Sequence, residues 1–464
     1  MVAPLTGPIL TAAEMRAAEL AAVEAGTSLA TLMERAGRAV ADAVLRFAGG
    51  RETLILCGPG NNGGDGYVAA RFLQDAGHPV RVAALCPPRT DLARAARERW
   101  TGPVFAADNC APAPVLVDAL FGTGLTRPLE EDAVAALNAL SDSSTFMIAV
   151  DLPSGVGTDD GANLGARKAT ITIALEALKP AHLLQPAAAL CGTVIRARLD
   201  FDAAAFASVI SRPTIHAPGA DSHKYKRGYV VVAGGAMGGA AQLAARAAMR
   251  RAGYVAITGA RRLGPDALVN RRWEDVAEDP RVGALLIGPG LGRDEKARAA
   301  LSAALATPHP LVLDADALML LTPQERDTLG DGGRRVILTP HEGEFAHLFG
   351  TLPGSKIDRA AAAARMSGAV VILKGADTVI AAPDRRVRMA LPAPGWLASA
   401  GTGDVLAGLA VAALGSWTPF VDGTLNAACE AVWLHAEAAR LAGPALIADD
   451  LPDLIPAAMA DCLA

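Results

Sequence analysis

The 464-residue sequence has few aromatic residues, which make up 4% of it, and few charged residues, at 20%. Its six cysteines form no CxxC pair and no cluster with histidine at metal-ligand spacing, which excludes a zinc site or disulfide framework as its organising feature. Long runs of lysine and arginine are also missing, and the formal net charge is −5. Because phosphate contacts to nucleic acid need a concentrated basic face, we expect no nucleic-acid partner.

Long apolar runs and a secretory leader are missing as well. The uncharged stretches are interrupted by glycine and proline, so none supplies the roughly 20 predominantly apolar residues of a membrane span. The first 20 residues include Glu14 and Glu19 and lack the apolar core of a signal peptide. We therefore expect a cytoplasmic protein with no membrane partner.

Small and aliphatic residues are abundant, with 52% hydrophobic residues and 47 glycines. Short apolar runs such as 53–57, 115–117 and 146–150 alternate with helical stretches, and this alternation predicts doubly wound α/β sheets. A helical lead is expected over residues 11–47. A proline- and glycine-containing stretch around 206–225 interrupts the alternation before a second series begins. We predict two α/β domains, at residues 1–212 and 222–464.

Three strand-to-loop junctions in the first half carry polar residues. The segment CGPGNNGGDG at 57–66 follows a strand and opens a helix, where glycines let backbone amides approach phosphate oxygens. The segment VDALFGTGLTRP at 117–128 ends in glycines and Arg127, and VDLPSG at 150–155 places Asp151 at the end of a strand. Ligands of open α/β sheets bind beyond the carboxyl ends of strands, so the three junctions predict one cleft.

These segments, with the helical lead and LKPAHLL at 178–184, resemble the YjeF N-terminal family, the NAD(P)H-hydrate epimerases, over most of residues 9–200. The resemblance implies a Rossmann-like sheet and epimerisation at C6 of the hydrated nicotinamide ring, which interconverts the R and S forms of NADHX or NADPHX. A carboxylate such as Asp151 can move a proton in this reaction.

The resemblance also implies a ligand set. A potassium ion would be held by Asn62, Asp118 and Ser154, whose hard oxygen ligands suit a non-transition cation. The implied substrate-binding residues of this domain are Asn61, Asn62, Gly63, Gly64, Asp65, Gly122, Thr123, Gly124, Leu125, Thr126, Arg127, Pro128 and Asp151.

In the second half, the most specific segment is SAGTGDVLAG at 399–408. Its glycines lead into an apolar helix, and the free amides at a helix start form an anion-binding site. Asp404 is expected in the first turn of that helix, where a carboxylate can accept a hydroxyl proton during phosphoryl transfer. A helix cap alone does not account for the glycines on both sides of Thr402, since each carries a cost in backbone entropy.

This segment resembles the ribokinase-like superfamily. Together with HKYKRGY (223–229), IGPGLG (287–292), LDADAL (313–318), LTPHEGEF (338–345) and LKGADT (373–378), it is similar to the NAD(P)H-hydrate dehydratases, the YjeF C-terminal family. The implied chemistry is phosphorylation of the C6 hydroxyl, after which the ring nitrogen expels phosphate and restores NADH or NADPH.

For this domain the resemblance implies Asp404 as catalytic base. Implied contacts to the hydrate come from Ala240, Gly290, His341 and Asp404, and contacts to the nucleotide come from Lys374, Gly375, Ala376, Asp377, Thr378 and Gly403. Mg²⁺ normally neutralises phosphate charge in such reactions. Relatives with the two domains fused are typically bacterial and use ADP, so ADP is the expected donor, while ATP stays open.

The favoured interpretation is a bifunctional repair enzyme, an isomerase joined to a lyase, acting on NADHX, NADPHX or both. A vitamin kinase fused to a nucleotide-binding domain without activity is a second interpretation, and an N-terminal interaction scaffold is a third. The polar residues Asn62, Asp118, Asp151 and Ser154 argue against a scaffold, which needs no such convergence. The alanine-rich helix expected at 240–248 allows close packing between subunits, and we expect a homo-oligomer.

Overall fold

The computed structural model describes residues 5–203, 205–259, 264–416 and 423–463. The chain divides into two compact units, Met1–Val209 and Ile210–Ala464. Each unit is built on a largely parallel sheet with helices, which confirms the predicted α/β class. Across these described ranges, no helix combines the length and apolar character that crossing a membrane requires.

In the first unit, strands β2 to β8 form an all-parallel sheet in the order β4-β3-β2-β5-β6-β7-β8, and β1 pairs antiparallel with β9. The strands are β1 (Pro8–Ile9), β2 (Thr53–Cys57), β3 (Val80–Ala84), β4 (Val104–Ala106), β5 (Val115–Ala119), β6 (Phe146–Val150), β7 (Ile171–Leu175), β8 (Thr193–Ala197) and β9 (Ala207–Val209). The helices are α1 (Ala12–Glu24), α2 (Leu29–Phe47), α3 (Asn61–Asp75), α4 (Asp91–Glu98), α5 (Glu131–Ser141) and α6 (Ala187–Leu190). The strand order reverses between β2 and β5, which opens a crevice at the carboxyl edge.

The expected helical lead over residues 11–47 forms two helices rather than one. Helix α1 begins with a capping box between Thr11 and Glu14, and α2 begins at Ser28, whose side chain accepts a hydrogen bond from the Thr31 amide. Between them Gly26 takes a φ of 98°, which breaks the helix. The break frees α1 to contribute side chains to the crevice.

In the second unit the strand order is β18-β17-β16-β15-β14-β13-β10-β11-β12. All neighbouring strands between β16 and β12 in this order pair in parallel, including β10 and β11. Strand β17 is antiparallel to both its neighbours, β16 and β18. The strands are β10 (Tyr229–Ala233), β11 (Tyr254–Thr258), β12 (Val269–Asn270), β13 (Ala284–Ile287), β14 (Leu311–Leu313), β15 (Val336–Leu338), β16 (Val370–Leu373), β17 (Val379–Ala381) and β18 (Val387–Met389). The helices are α7 (Gly238–Arg251), α8 (Glu295–Leu305), α9 (Asp316–Leu320), α10 (Pro323–Asp327), α11 (Glu342–Phe349), α12 (Lys356–Ser367), α13 (Thr402–Ser416), α14 (Gly423–Ala442) and α15 (Leu451–Ala460).

The buried helix α13 carries Asp404 and is fixed by close packing on α7. Its face toward α7 includes Gly408, where an added Cβ would lie 2.1 Å from the Ala244 carbonyl oxygen. Only glycine permits this approach, because a side chain there would push the helices apart. Five alanines of α7 are fully buried in the core: Ala241, Ala244, Ala245, Ala247 and Ala248. This packing sets where the first turn of α13 lies.

Candidate active sites

The crevice of the first unit holds a cleft of about 470 Å³, called the first-unit cleft below. From the sequence-predicted substrate set, the residues that line it are Asn61, Asn62, Asp65, Gly122, Thr123, Gly124, Leu125 and Asp151. The described residues that line the cleft do not include Gly63, Gly64, Thr126, Arg127 or Pro128. The side chain of Arg127 is 78% exposed and pairs with Glu130.

Helix α3 already begins at Asn61, so the NNGGDG segment forms its first turns. An added Cβ on Gly63 would lie 2.0 Å from the Gly58 carbonyl oxygen, and one on Gly64 would lie 2.5 Å from the Met33 methyl carbon. These two glycines therefore bring the helix start close to the sheet and to α2. The close packing leaves Asn61, Asn62 and Asp65 to face the cleft.

Asp151 forms a buried ion pair with Lys179 directly after β6. The Lys179 ammonium lies 2.5 Å from Asp151 Oδ1, and the side chains are 1% and 8% exposed. The Leu175 amide donates a further hydrogen bond to the same carboxylate oxygen at 3.1 Å. Lys179 also donates to the carbonyl oxygens of Leu175 and Ala177. Asp151 adopts a left-handed φ of 63°, which its short polar side chain tolerates.

His182 holds the Asp151–Lys179 region through two hydrogen bonds to the backbone. Its Nδ1 accepts a hydrogen bond from the Lys179 amide at 2.8 Å, so Nε2 carries the proton and donates to the Asp151 carbonyl oxygen at 2.7 Å. Burial, with the positive charge of Lys179 adding to it, lowers the pKa of His182 to about 4. The imidazole is therefore neutral at physiological pH and links two backbone positions by hydrogen bonds.

Two more carboxyl groups, Asp65 on α3 and Glu19 on α1, line the first-unit cleft with Asp151. Burial raises the pKa of Asp65 well above its ordinary value, and the negative charges of Asp151 and Glu19 raise it further. Burial also raises the pKa of Glu19, which Lys179 partly offsets. In this cleft Asp151 is therefore paired with a lysine, whereas burial favours the protonated forms of Asp65 and Glu19.

The three residues expected to hold a cation are Asn62 in the first turn of α3, Asp118 near the end of β5 and Ser154 in the loop after β6. Asp118 is fully buried and accepts hydrogen bonds from the Ser154 amide and hydroxyl at 2.8 and 2.6 Å. Burial raises the pKa of Asp118. The Asn62 side-chain nitrogen is buried without a hydrogen-bond partner among the described residues. Asn62 Oδ1 lies against Gly122, 2.9 Å from where a Cβ would be.

Sequence reasoning missed three charged residues that line the first-unit cleft: Arg16, Glu19 and Lys179. Lys179 belongs to the LKPAHLL segment, which was noted as a family feature without a role. Arg16 and Glu19 lie three residues apart on α1, on one helix face. That spacing was the available signal, but a lone helical charge pair is usually a solvated surface feature.

In the second unit a cavity of about 330 Å³, called the second-unit cavity below, lies beside the start of α13. From the predicted nucleotide set it is lined by Lys374, Gly375, Ala376, Thr378 and Gly403. Asp377 is not among the lining residues that are described; its carboxylate lies 2.6 Å from the Lys356 ammonium. Its charge is thus paired outside the cavity wall.

Lys374 connects the second-unit cavity to a group of carboxylates. Its ammonium lies 2.9 Å from Asp314, which also accepts a hydrogen bond from the Thr339 hydroxyl, and 3.8 Å from Glu344. Burial alone lowers the pKa of Lys374, but these carboxylates more than offset it, so the pKa is raised. An added Cβ on Gly403 would lie 3.6 Å from the same nitrogen. The cation therefore faces the start of α13.

Asp404 lies half-buried in the first turn of α13. Burial raises the pKa of its carboxyl group to about 6, with Asp314 adding to the rise and Lys374 opposing it. A carboxylate with this pKa is mostly ionised at pH 7, yet a much better base than an ordinary aspartate. Asp404 is the only residue of the predicted hydrate-binding set that carries such a poised group.

The other predicted hydrate-binding residues are Ala240, Gly290 and His341. An added Cβ on Gly290 would lie 3.1 Å from the Ala240 side chain, so β13 and α7 bring these two residues together. His341 caps α11, accepting hydrogen bonds from the amides of Gly343 and Glu344. Its own amide donates to Glu344, which in turn faces Lys374. This chain of contacts links His341 to the cation.

His435, which sequence reasoning did not single out, is buried on α14 and lines the second-unit cavity. Its Nε2 lies 2.9 Å from the Thr402 carbonyl oxygen. Burial lowers the pKa of His435 to about 4, so the ring is neutral and donates this hydrogen bond. The Thr402 hydroxyl donates to the carbonyl oxygens of Leu397 and Ser399, so the turn before Asp404 is held at several points.

The fold and the two sites define a two-domain α/β enzyme with a separate carboxylate site in each domain. The family model described as NAD(P)H-hydrate dehydratase matches residues 229–456, and the model described as YjeF-related protein N-terminus matches residues 29–181. Both matches fall on the domains that the sequence motifs indicated.

Proteins named bifunctional NAD(P)H-hydrate repair enzyme Nnr match over most of their length. The protein from Moorella thermoacetica is 33% identical, covering 97% of this chain and 96% of its own. The one from Pyrobaculum aerophilum is 32% identical, covering 96% and 97%. The solved structure of ADP/ATP-dependent NAD(P)H-hydrate dehydratase from Bacillus subtilis, co-crystallised with ATP and Mg²⁺, shows 31% identity, covers 54% of this chain and 95% of that one, and has a TM-score of 0.48.

The chain belongs to the family of bifunctional NAD(P)H-hydrate repair enzymes. It is therefore an enzyme with an epimerase-type first domain and a dehydratase second domain, as the motifs predicted. The interpretations as a vitamin kinase with an inactive domain and as an interaction scaffold are set aside, because the matching relatives carry both domains over nearly their full length.

Proposed function

We propose that the first domain epimerises R- and S-NAD(P)HX and that the second dehydrates the S form at the expense of ADP, giving NAD(P)H, AMP and phosphate. The observation that carries the proposal is the pair of carboxylates, Asp151 directly after a parallel strand of the first domain and Asp404 in the first turn of a helix of the second. Asp151 is paired with a buried lysine, whereas Asp404 has a pKa raised to about 6. These charge states suit two different proton transfers.

In the first reaction, the C–O bond at C6 breaks and forms again on the other face of the ring. The ring nitrogen lone pair stabilises the intermediate cation, and the hydroxyl departs as water after receiving a proton. Asp65, whose pKa is raised, supplies this proton, and Asp151, paired with Lys179, takes a proton from the water that adds back. No proton is gained or lost overall.

For potassium, the residues present fit a hard monovalent cation. Asp118 is a buried carboxylate with no lysine or arginine partner among the described residues, and the Asn62 side-chain oxygen and the Ser154 hydroxyl are further oxygen donors. Asn62, Asp118 and Ser154 would hold the ion. When bound, it would offset the buried charge and fix the loops after β2, β5 and β6. Potassium binding by these residues is part of the proposal.

In the second reaction, Asp404 takes the proton of the C6 hydroxyl as that oxygen attacks the terminal phosphorus of the donor. The amides at the start of α13 and the Lys374 ammonium face the transferred group and stabilise its charge. The ring nitrogen then expels phosphate from C6, and loss of the C5 proton restores the double bond. The preference for ADP over ATP rests on the resemblance to fused relatives described above.

For magnesium, the described residues offer no group of three His, Cys, Asp or Glu side chains placed for a metal. Mg²⁺ is commonly held by substrate phosphates and water with one or two carboxylates. Asp314 and Glu344, both within ion-pair distance of Lys374, are the carboxylates that would contribute. When bound with the nucleotide, Mg²⁺ would neutralise phosphate charge.

One experiment tests both activities. The purified protein is incubated with mixed R and S hydrates and with ADP or ATP, and NAD(P)H recovery, AMP and phosphate are measured. Complete conversion with ADP is expected. Conversion that stops at the S fraction, beyond slow spontaneous epimerisation, contradicts the first activity. A stable phosphorylated hydrate without phosphate release contradicts the second. The expected homo-oligomer stays a prediction, for which light scattering is the measurement.

A further inference from the structure

Arg16 is an uncommitted cation in the first-unit cleft. It lies on α1 with an exposed side chain that lines the cleft. Among the described residues, its guanidinium makes no hydrogen bond and no ion pair within 4.0 Å, although Glu19 and Asp159 are near enough to feel its charge. An arginine left free at the mouth of a cleft is available to a ligand.

The other charges of the cleft leave Arg16 as its anion-binding group. Of the described residues that line it, only Arg16 and Lys179 are cationic, and Lys179 is buried against Asp151. Asp151 is paired with Lys179, and burial raises the pKa of both Glu19 and Asp65, which favours their neutral forms. Arg16 is thus the cation of the described lining that has no ion-pair partner, and a ligand carrying phosphates is attracted to it.

The loop Gly122–Gly124 lies beside Arg16. Gly124 takes a φ of 98°, and its amide donates to the Thr158 hydroxyl. An added Cβ on Gly124 would lie 3.7 Å from Arg16 Nη1, which is van der Waals contact. The absence of a side chain at this position therefore leaves the guanidinium accessible to a ligand in the cleft.

We propose that Arg16 binds the diphosphate of the dinucleotide hydrate and orients it, with the hydrated ring at Asp151 and Lys179 and the phosphates at the exposed Arg16 guanidinium. The proposal rests on the epimerase function proposed above. It assigns the phosphate contact to Arg16 rather than to Arg127, the cation that the sequence motif indicated. Arg127 points into solvent and pairs with Glu130.

The test uses three hydrates: that of NADH, which carries a diphosphate and an adenosine, that of reduced nicotinamide mononucleotide, which carries one phosphate, and that of reduced nicotinamide riboside, which carries none. The conversion of each pure R hydrate to the S form is followed by chromatography without a nucleotide donor, so that the dehydratase is idle. We expect Arg16→Gln to raise KM for the NADH hydrate about tenfold or more, with kcat within about twofold. The riboside hydrate lacks phosphate, and its kinetics should be unchanged.

Two further variants sharpen the result. Arg16→Lys keeps the charge but loses the planar fork, so its KM should lie between wild type and Arg16→Gln. Arg38→Gln, which removes an exposed cation of α2 outside the cleft, serves as the matched control and should leave both constants unchanged. Raising the salt concentration should increase KM in wild type more than in Arg16→Gln.

Three outcomes would overturn the proposal: an unchanged KM in Arg16→Gln, an equal loss with the riboside hydrate, or a KM increase in Arg127→Gln alone. The second outcome would mean that Arg16 acts on the fold or the chemistry rather than on phosphate. If wild type does not epimerise any of the three hydrates, the proposed epimerase function fails instead. The two failures are therefore distinguishable before any variant is compared.

Discussion

The first-unit cleft and the second-unit cavity each have an aspartate and a lysine close together, but the two aspartates differ in how their charge is paired. In the first, Asp151 is buried with a lysine at 2.5 Å. Beside the second, Asp404 is half-buried, and Lys374, the lysine that acts on its charge, is paired with Asp314. Burial without a dedicated partner raises the pKa of Asp404 to about 6. Asp404 is a stronger base than an ordinary aspartate because burial raises its pKa and Lys374 is paired with Asp314 rather than with Asp404.

The two sites also share a device that neither sequence motif reveals. Each uses a buried, neutral histidine to hold a backbone carbonyl beside the catalytic aspartate: His182 holds Asp151 itself, and His435 holds Thr402. Burial lowers the pKa of both histidines to about 4. A neutral imidazole can fix a turn without adding charge to the site, which leaves the electrostatics to the acids and lysines.

The largest expected effects come from removing each aspartate in turn. Asp404→Asn should lower dehydration of pure S hydrate by about 10²–10⁴-fold, because the general base is lost, with epimerisation unchanged. Asp151→Asn should do the reverse. Asp42→Asn, at an exposed position on α2, is the control for both assays. Loss of both activities in either variant would show that the sites are not independent.

Lys179→Met tests the difference in burial. Removing the lysine leaves Asp151 buried and unpaired, so the free energy of unfolding should fall by about 3–5 kcal/mol. Chemical denaturation measures this value. In the double variant with Asp151→Asn, most of the stability should return while epimerisation stays lost. If Lys179→Met is as stable as wild type, the ion pair is not what holds this turn.

The shared histidine device predicts acid sensitivity in both domains. Each ring has a folded pKa of about 4 against an ordinary value of 6.5, so the unfolded state binds the proton more readily. The contribution of each neutral ring is present above about pH 6.5 and is lost as pH falls toward 4, by about 3 kcal/mol. Unfolding of wild type, His182→Gln and His435→Gln across this range measures it. Parallel curves for all three proteins would contradict the prediction.

The smallest effect is the pH profile of dehydration. Because Asp404 must be ionised to act as a base and its pKa is about 6, kcat/KM for S hydrate should fall below that pH, approaching tenfold for each further pH unit. The rate is measured with saturating nucleotide at constant ionic strength. A profile that stays flat down to pH 5 would show that Asp404 does not supply the titrating group.

Much of this was predictable because some segments carry chemistry in their local pattern. The glycines and acids of 57–66, 150–155 and 399–408 mark strand ends and helix starts, and the structure places Asp151 and Asp404 there. Short strands such as β4, β12 and β18 were not predicted, since two or three residues give no periodicity. Thr126, Arg127 and Pro128 belong to the motif but are not among the described residues that line the first-unit cleft.

The two α/β domains, their family and the two aspartates can be read from the sequence, because they depend on local strand ends, glycines and short motifs. Which charges meet depends on the packing of remote segments. Lys179 reaches Asp151 from 28 residues away, Lys374 reaches Asp314 from 60, and α1 brings Arg16 to the cleft. Protonation state and phosphate contact depend on burial and on distances between remote segments, and packing alone sets those quantities.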